Sequence, residues 1–135
     1  MLRLLILSSM LLAACGAEQL ALTAGDIDIP PPVPGANMGA AYLTLSNNTA
    51  QEITIDKVAS PELKSVEMHE SVLEEGVSRM LRLPQVTIAP RQSVVFERGA
   101  KHLMLRYPTE TPQQVTLQFY AGDAMLLSVD VLLKE

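Results

Sequence analysis

A chain of 135 residues is long enough for one modest hydrophobic core. Ten Lys+Arg against fifteen Asp+Glu give a formal charge of −5, which argues against nucleic acid or anionic lipid as a partner and suits a protein that attracts cations. The single cysteine, Cys15, excludes an intrachain disulfide and a Cys-x-x-Cys redox pair.

Met1-Leu2-Arg3 forms a short positive start, followed by the apolar run Leu4-Leu5-Ile6-Leu7 and then Met10-Leu11-Leu12. The stretch is too short to span a bilayer and has the shape of a secretory signal. It ends in Leu12-Ala13-Ala14-Cys15, which resembles the lipobox of bacterial lipoproteins. By that resemblance residues 1–14 are removed and the Cys15 thiol is lipidated, which places the protein on the outer side of a bacterial membrane. Gly16, rather than Asp, follows the cysteine, and the choice between inner and outer membrane stays open. Losing Arg3 leaves nine basic and fifteen acidic residues, a formal charge of −6. With Cys15 acylated, the rest of the chain has no thiolate to offer a metal.

Residues 15–37 read as a tether, with Pro30-Pro31-Pro32-Val33-Pro34-Gly35 extended rather than helical, and a short strand at 23–29 tucked against the domain. Residues 38–135 form the predicted β-domain. Strands are expected around 42–45, 52–56, 64–70, 77–83, 94–96, 102–107, 115–120 and 125–133, where apolar and polar residues alternate. They are separated by turn formers such as Ser46-Asn47-Asn48, Glu75-Gly76, Pro90-Arg91, Arg98-Gly99 and Gly122-Asp123. Residues 61–64 are the one candidate for a helical turn. The fold class is all-β, a sandwich or barrel of short strands.

The alternation assigns faces. In 64–70, Val66 and Met68 are apolar and put His69 on the other face with Ser65 and Glu67. In 77–83, Val77, Leu81 and Leu83 share one face and Met80 takes the other. In 102–107, Leu103 and Leu105 leave His102 and Met104 facing away from the core. Met68 and Met125 read as core residues. Two methionines facing outward among Ser and Arg are not filling a core, and with two histidines they suggest a metal site. Glu67 and Glu70 are close enough in sequence to support His69, although solvated acids are the simpler reading of both.

Thioether sulfur is soft, neutral and unprotonated near pH 7, so it favours Cu(I); imidazole accepts copper or zinc. Zinc prefers thiolate, imidazole or carboxylate, and a blue-copper centre needs a cysteine. A two-His, two-Met Cu(I) site remains, one ion per chain, held by His69, Met80, His102 and Met104. Ten residues separate His69 from Met80, twenty-one separate Met80 from His102, and one separates His102 from Met104. This spacing resembles the His-x10-Met-x21-His-x-Met motif of the PCuAC copper chaperones. The flanking Met68-His69-Glu70, Arg79-Met80, His102-Leu103-Met104-Leu105 and Ala40-Ala41-Tyr42-Leu43-Thr44-Leu45 are similar too.

The resemblance implies a cupredoxin-like β-barrel or sandwich with an exposed Cu(I) site. It also implies delivery of the ion to the Cu(A) centre of a cytochrome c oxidase, alongside a Sco-type protein. An enzyme is not expected, because no cysteine is available for thiol–disulfide exchange and the two histidines lack a Ser or Cys partner motif. Two features depart from the family: the chain lacks Trp, and it stops at Lys134-Glu135 without a His- and Met-rich tail, so one site is expected. The alternatives are copper buffering or resistance in the envelope, and a structural or interaction lipoprotein in which the methionines are merely packed. Acidification should weaken Cu(I) binding, because imidazole must be neutral to coordinate.

Overall fold

The computed structural model describes residues 18–134. The signal segment, the lipobox and Cys15 lie outside the described residues. Eleven strands follow one another: β1 (Leu22–Asp28), β2 (Met38–Asn47), β3 (Ile53–Ile55), β4 (Lys57–Ala59), β5 (Ser65–Glu74), β6 (Val77–Arg82), β7 (Val86–Ile88), β8 (Ser93–Phe96), β9 (Lys101–Arg106), β10 (Gln114–Ala121) and β11 (Ala124–Leu132). The large sheet runs β1-β2-β9-β5-β6, with β8 also paired to β2; β11-β10-β4 and β3-β7 form two smaller sheets. Every pairing is antiparallel.

The expected all-β class is what forms, because period-two alternation drives each strand's apolar side into one shared core. On β2, Ala41, Leu43 and Leu45 point inward; β9 adds Leu103 and Leu105, β5 adds Val66 and Met68, and β10 supplies Val115, Leu117 and Phe119 from the facing sheet. Asn47 is buried at the end of β2 and pins the neighbouring loops. Its amide nitrogen donates to the carbonyls of Gln51, Ile88 and Ala89, and its oxygen accepts from the Thr49 N–H and hydroxyl. A residue expected only to signal a turn is therefore a buried polar clasp.

The short strand expected at 23–29 does form, as β1: it pairs with β2 and buries Leu22 fully, so residues 22–28 pack with the β-domain. Several expectations are corrected. Residues 61–64 form a turn closed by Leu63 N–H to Ser60 O, not a helix. The three-residue strands β4 and β7 were not expected. Met125 is exposed rather than core, because a register shift separates the pairs Phe119↔Leu127 and Tyr120↔Met125. One extra residue there reverses the alternation. Val77 and Leu81 keep the predicted parity but are exposed, since β6 is an edge strand with no layer covering it.

Tight turns set the strands that matter for the site. Glu75 and Gly76, both at positive φ (49° and 78°), make the two-residue hairpin between β5 and β6. In the turn before β9, Ala100 N–H reaches Glu97 O and Gly99 takes φ +77°, the left-handed third position that glycine occupies without strain. Gly39 on β2 faces inward for a different reason. A Cβ there would lie 2.9 Å from Cε2 of the buried Tyr107 ring.

Candidate metal centre

The site lies on the outward face of the large sheet, where β2, β9, β5 and β6 run side by side. Register places Ala40 opposite Met104, Met104 opposite Glu67, His102 opposite His69 and Ser71 opposite Met80. The parities read from sequence hold for all four predicted ligands: none of them points into the core formed by Val66, Met68, Leu103 and Leu105.

The two histidines meet across the β5–β9 pair, with ring centroids 5.8 Å apart. His102 is only 6% exposed, although it is on the outer face. Its Nδ1–H donates to Ala100 O at 3.2 Å, which leaves the Nε2 lone pair for a metal. His69 is oriented the other way round. Its Nε2–H donates to Glu67 Oε2 at 2.9 Å, and Nδ1 is buried without any hydrogen-bond partner. A buried imidazole nitrogen with an unused lone pair is costly unless something binds it.

Met80, His102 and Met104 come together around one open hollow of about 330 Å³, with Gly39, Ala40, Tyr42, Ser71 and Gly99 completing the wall. Small residues create the space. Ala40 lies across from Met104, and Ser71 lies between Met80 on β6 and the histidine on β9, so the long thioether can reach inward over it. His69 is beside His102 and does not line the hollow. Three of the predicted ligands are thus gathered directly and the fourth is one ring away.

Sequence reasoning missed two members of the wall. Met38 also lines the hollow, and Ser71 supplies the gap that Met80 crosses. It also favoured the wrong reading of Glu67, which is not simply a solvated acid but holds the His69 ring. That hydrogen bond from His69, followed by the positive charges of Arg82 and Arg106, keeps the Glu67 carboxyl below its ordinary range despite partial burial. Arg82 Nε lies 3.6 Å from Glu67 Oε1. Glu70 faces the other side and pairs with Lys101 Nζ at 3.1 Å, so it does not support the site.

The donors are two imidazole nitrogens with free lone pairs and two neutral thioethers. Among the described residues, no three His, Asp or Glu side chains converge as a hard-ion site would need. The set would suit a soft, low-charge ion, and the Nδ1 of His69 keeps a buried lone pair without a protein partner.

Comparison with known proteins agrees with this fold. The copper-bound PCuAC domain from PmoF2 superposes with a TM-score of 0.63 at 18% identity, over 84% of this chain and 92% of that domain. Cu(I)-DR1885 from Deinococcus radiodurans gives a TM-score of 0.59 at 25% identity, over 90% of this chain and 81% of that one. The uncharacterized protein RP573 of Rickettsia prowazekii is 27% identical over 70 residues, 51% of this chain. The chain spans 39% of that relative's length. The fold is therefore the all-β, cupredoxin-like fold of PCuAC domains. The family model of LpqE-like lipoproteins matches residues 21–131, most of the folded chain, and the protein belongs to the LpqE-like family.

Proposed function

We propose that this protein is an extracytoplasmic Cu(I) metallochaperone, binding one ion between His69, Met80, His102 and Met104. The observation that carries the reading is the pairing of a hollow lined by Met80, His102 and Met104 with a neighbouring imidazole whose buried Nδ1 has no partner. The His69 ring stands 5.8 Å from that of His102, beside the hollow that the other three line. Thioethers supply soft donors without charge, so they hold Cu(I) less firmly than thiolates and release it more readily.

Met80 is 52% exposed, which supports transfer to another protein rather than storage: an incoming ligand can displace it first while the buried His102 still holds the ion. We assign the acceptor as the Cu(A) centre of a respiratory oxidase, with a Sco-type protein as co-worker, on the motif's resemblance to PCuAC chaperones. Lipidation of Cys15 would keep the domain at the membrane where such an acceptor is assembled. The role is binding and handover, not catalysis.

The test is anaerobic Cu(I) titration of residues 18–135 against a chromophoric competitor, beside a Met80→Leu, Met104→Leu double variant. One equivalent that resists the competitor, lost in a variant that still unfolds cooperatively, is the expected result. A parent domain that cannot hold Cu(I) against the competitor would overturn the reading and leave an interaction module.

A further inference from the structure

The hollow has a second exposed thioether that the spacing motif does not contain. Met38 begins β2, opposite Arg106, and shares the outward face with Ala40 and Tyr42. It lines the same hollow as Met80, His102 and Met104, and it is 40% exposed. Its position diagonal to Met104 puts it within reach of the same ion, since diagonal neighbours across an antiparallel pair stand roughly 7–8 Å apart at the backbone. The pairing of β1 with β2 stops at Tyr42, so no strand flanks Met38 on that side. An unbranched side chain with three rotatable bonds can then swing over the small Ala40 toward the hollow. Met80 and Met38 therefore stand on opposite rims, on β6 and β2, with His102 and Met104 on β9 between them.

We infer that Met38 is an additional thioether donor to the Cu(I) site, exchanging with Met80 at the solvent edge. The inference rests on the copper reading above. The exchange is a ligand substitution: a sulfur–copper dative bond from Met38 forms as the one from Met80 breaks, and copper stays Cu(I) throughout. Its consequence is that the ion keeps a second thioether while Met80 is drawn away by an acceptor's ligand. The rim that releases copper is thereby backed by a rim that retains it.

The experiment uses protein labelled with carbon-13 at the methionine methyls, titrated anaerobically with Cu(I). Met125, more exposed than Met38 but on β11, reports adventitious binding to any surface thioether. The expected result is that the methyls of Met38, Met80 and Met104 shift together up to one equivalent while Met125 and the buried Met68 stay. Affinities of Met38→Leu, Met80→Leu and the double variant are then compared. The double variant should lose about tenfold more than the product of the single losses, because each thioether covers for the other. Shifts at Met80 and Met104 with Met38 moving no more than Met125 would overturn the inference and leave the copper reading standing. No shift at Met80 or Met104 would overturn both.

Discussion

His69 and His102 stand directly opposite each other on β5 and β9, tilted by 42°, and each is held through a different ring nitrogen. The backbone carbonyl of Ala100 fixes one ring and the carboxylate of Glu67 fixes the other, so the two free lone pairs are Nε2 of His102 and Nδ1 of His69. Only the second support can be removed by mutation of a side chain, which makes the two halves of the site experimentally separable.

Replacing Glu67 by Ala is therefore expected to weaken Cu(I) binding by about 10–100-fold, the usual cost of losing a partner that orients a metal-binding imidazole. Glu67→Gln keeps a hydrogen-bond acceptor and should lose less. Competition titration of both variants decides it; an Ala variant with parental affinity would reduce Glu67 to a surface acid.

Ser71 tests the shape of the hollow. Its side chain is the low ground between Met80 and the β9 ligands, so Ser71→Leu should fill that ground and keep Met80 out. Unfolding stability should change by only about 0.5 kcal/mol, as for other partly exposed positions. Cu(I) affinity should fall to the level of Met80→Leu, and combining the two substitutions should add nothing. A further loss in the combined variant would show that Ser71 acts otherwise.

Gly39 tests the floor. A methyl group there meets the Tyr107 ring at 2.9 Å, and both belong to the core side of the sheet. Gly39→Ala should cost about 1–3 kcal/mol, the range for overpacking a filled interior, and lower the denaturant midpoint accordingly. Because Gly39 lies between Met38 and Ala40, the same variant should also disturb the methionine methyl spectrum near the hollow. An unchanged midpoint would mean that Tyr107 moves aside at no cost.

Glu62 links stability to pH. Its carboxylate accepts from Thr116 N–H and hydroxyl and from the Ser60 hydroxyl, tying the turn after β4 to β10. The Thr116 N–H is the main cause of a pKa held below the ordinary 4.5, outweighing the opposing effect of burial. A carboxyl with a lowered folded pKa contributes stability that is complete above its unfolded value and lost as pH falls through the folded one. Denaturant midpoints should thus drop below about pH 4.5 more steeply for the parent than for Glu62→Gln. Parallel pH curves for the two proteins would count against the linkage.

Strand parity was legible because β5 and β9 are regular, and it located all four motif residues on the outer face. It failed on β11, where the shift between Phe119 and Tyr120 turns Met125 outward without any mark in the local pattern. Met38 went unnoticed because Gly39-Ala40-Ala41 has little β-propensity, so the sequence pattern started the strand four residues too late. Ser71 and the Glu67–His69 bond depend on which strands become neighbours. That is a property of the β9–β5–β6 order, which no local alternation contains. The three-residue β4 and β7 run up against Pro61, Pro84 and Pro90, and those turn signals hide so short a run.

The hollow takes its walls from four strands that meet only in one alignment. Sliding β9 by a single residue against β5 would turn His102 and Met104 inward and bring Leu103 and Leu105 out to water. A misaligned chain would then lose its core and its proposed copper ligands in the same step. The ability to hold the ion is thus also a certificate of correct assembly, and a wrongly threaded molecule would have no cargo to pass on.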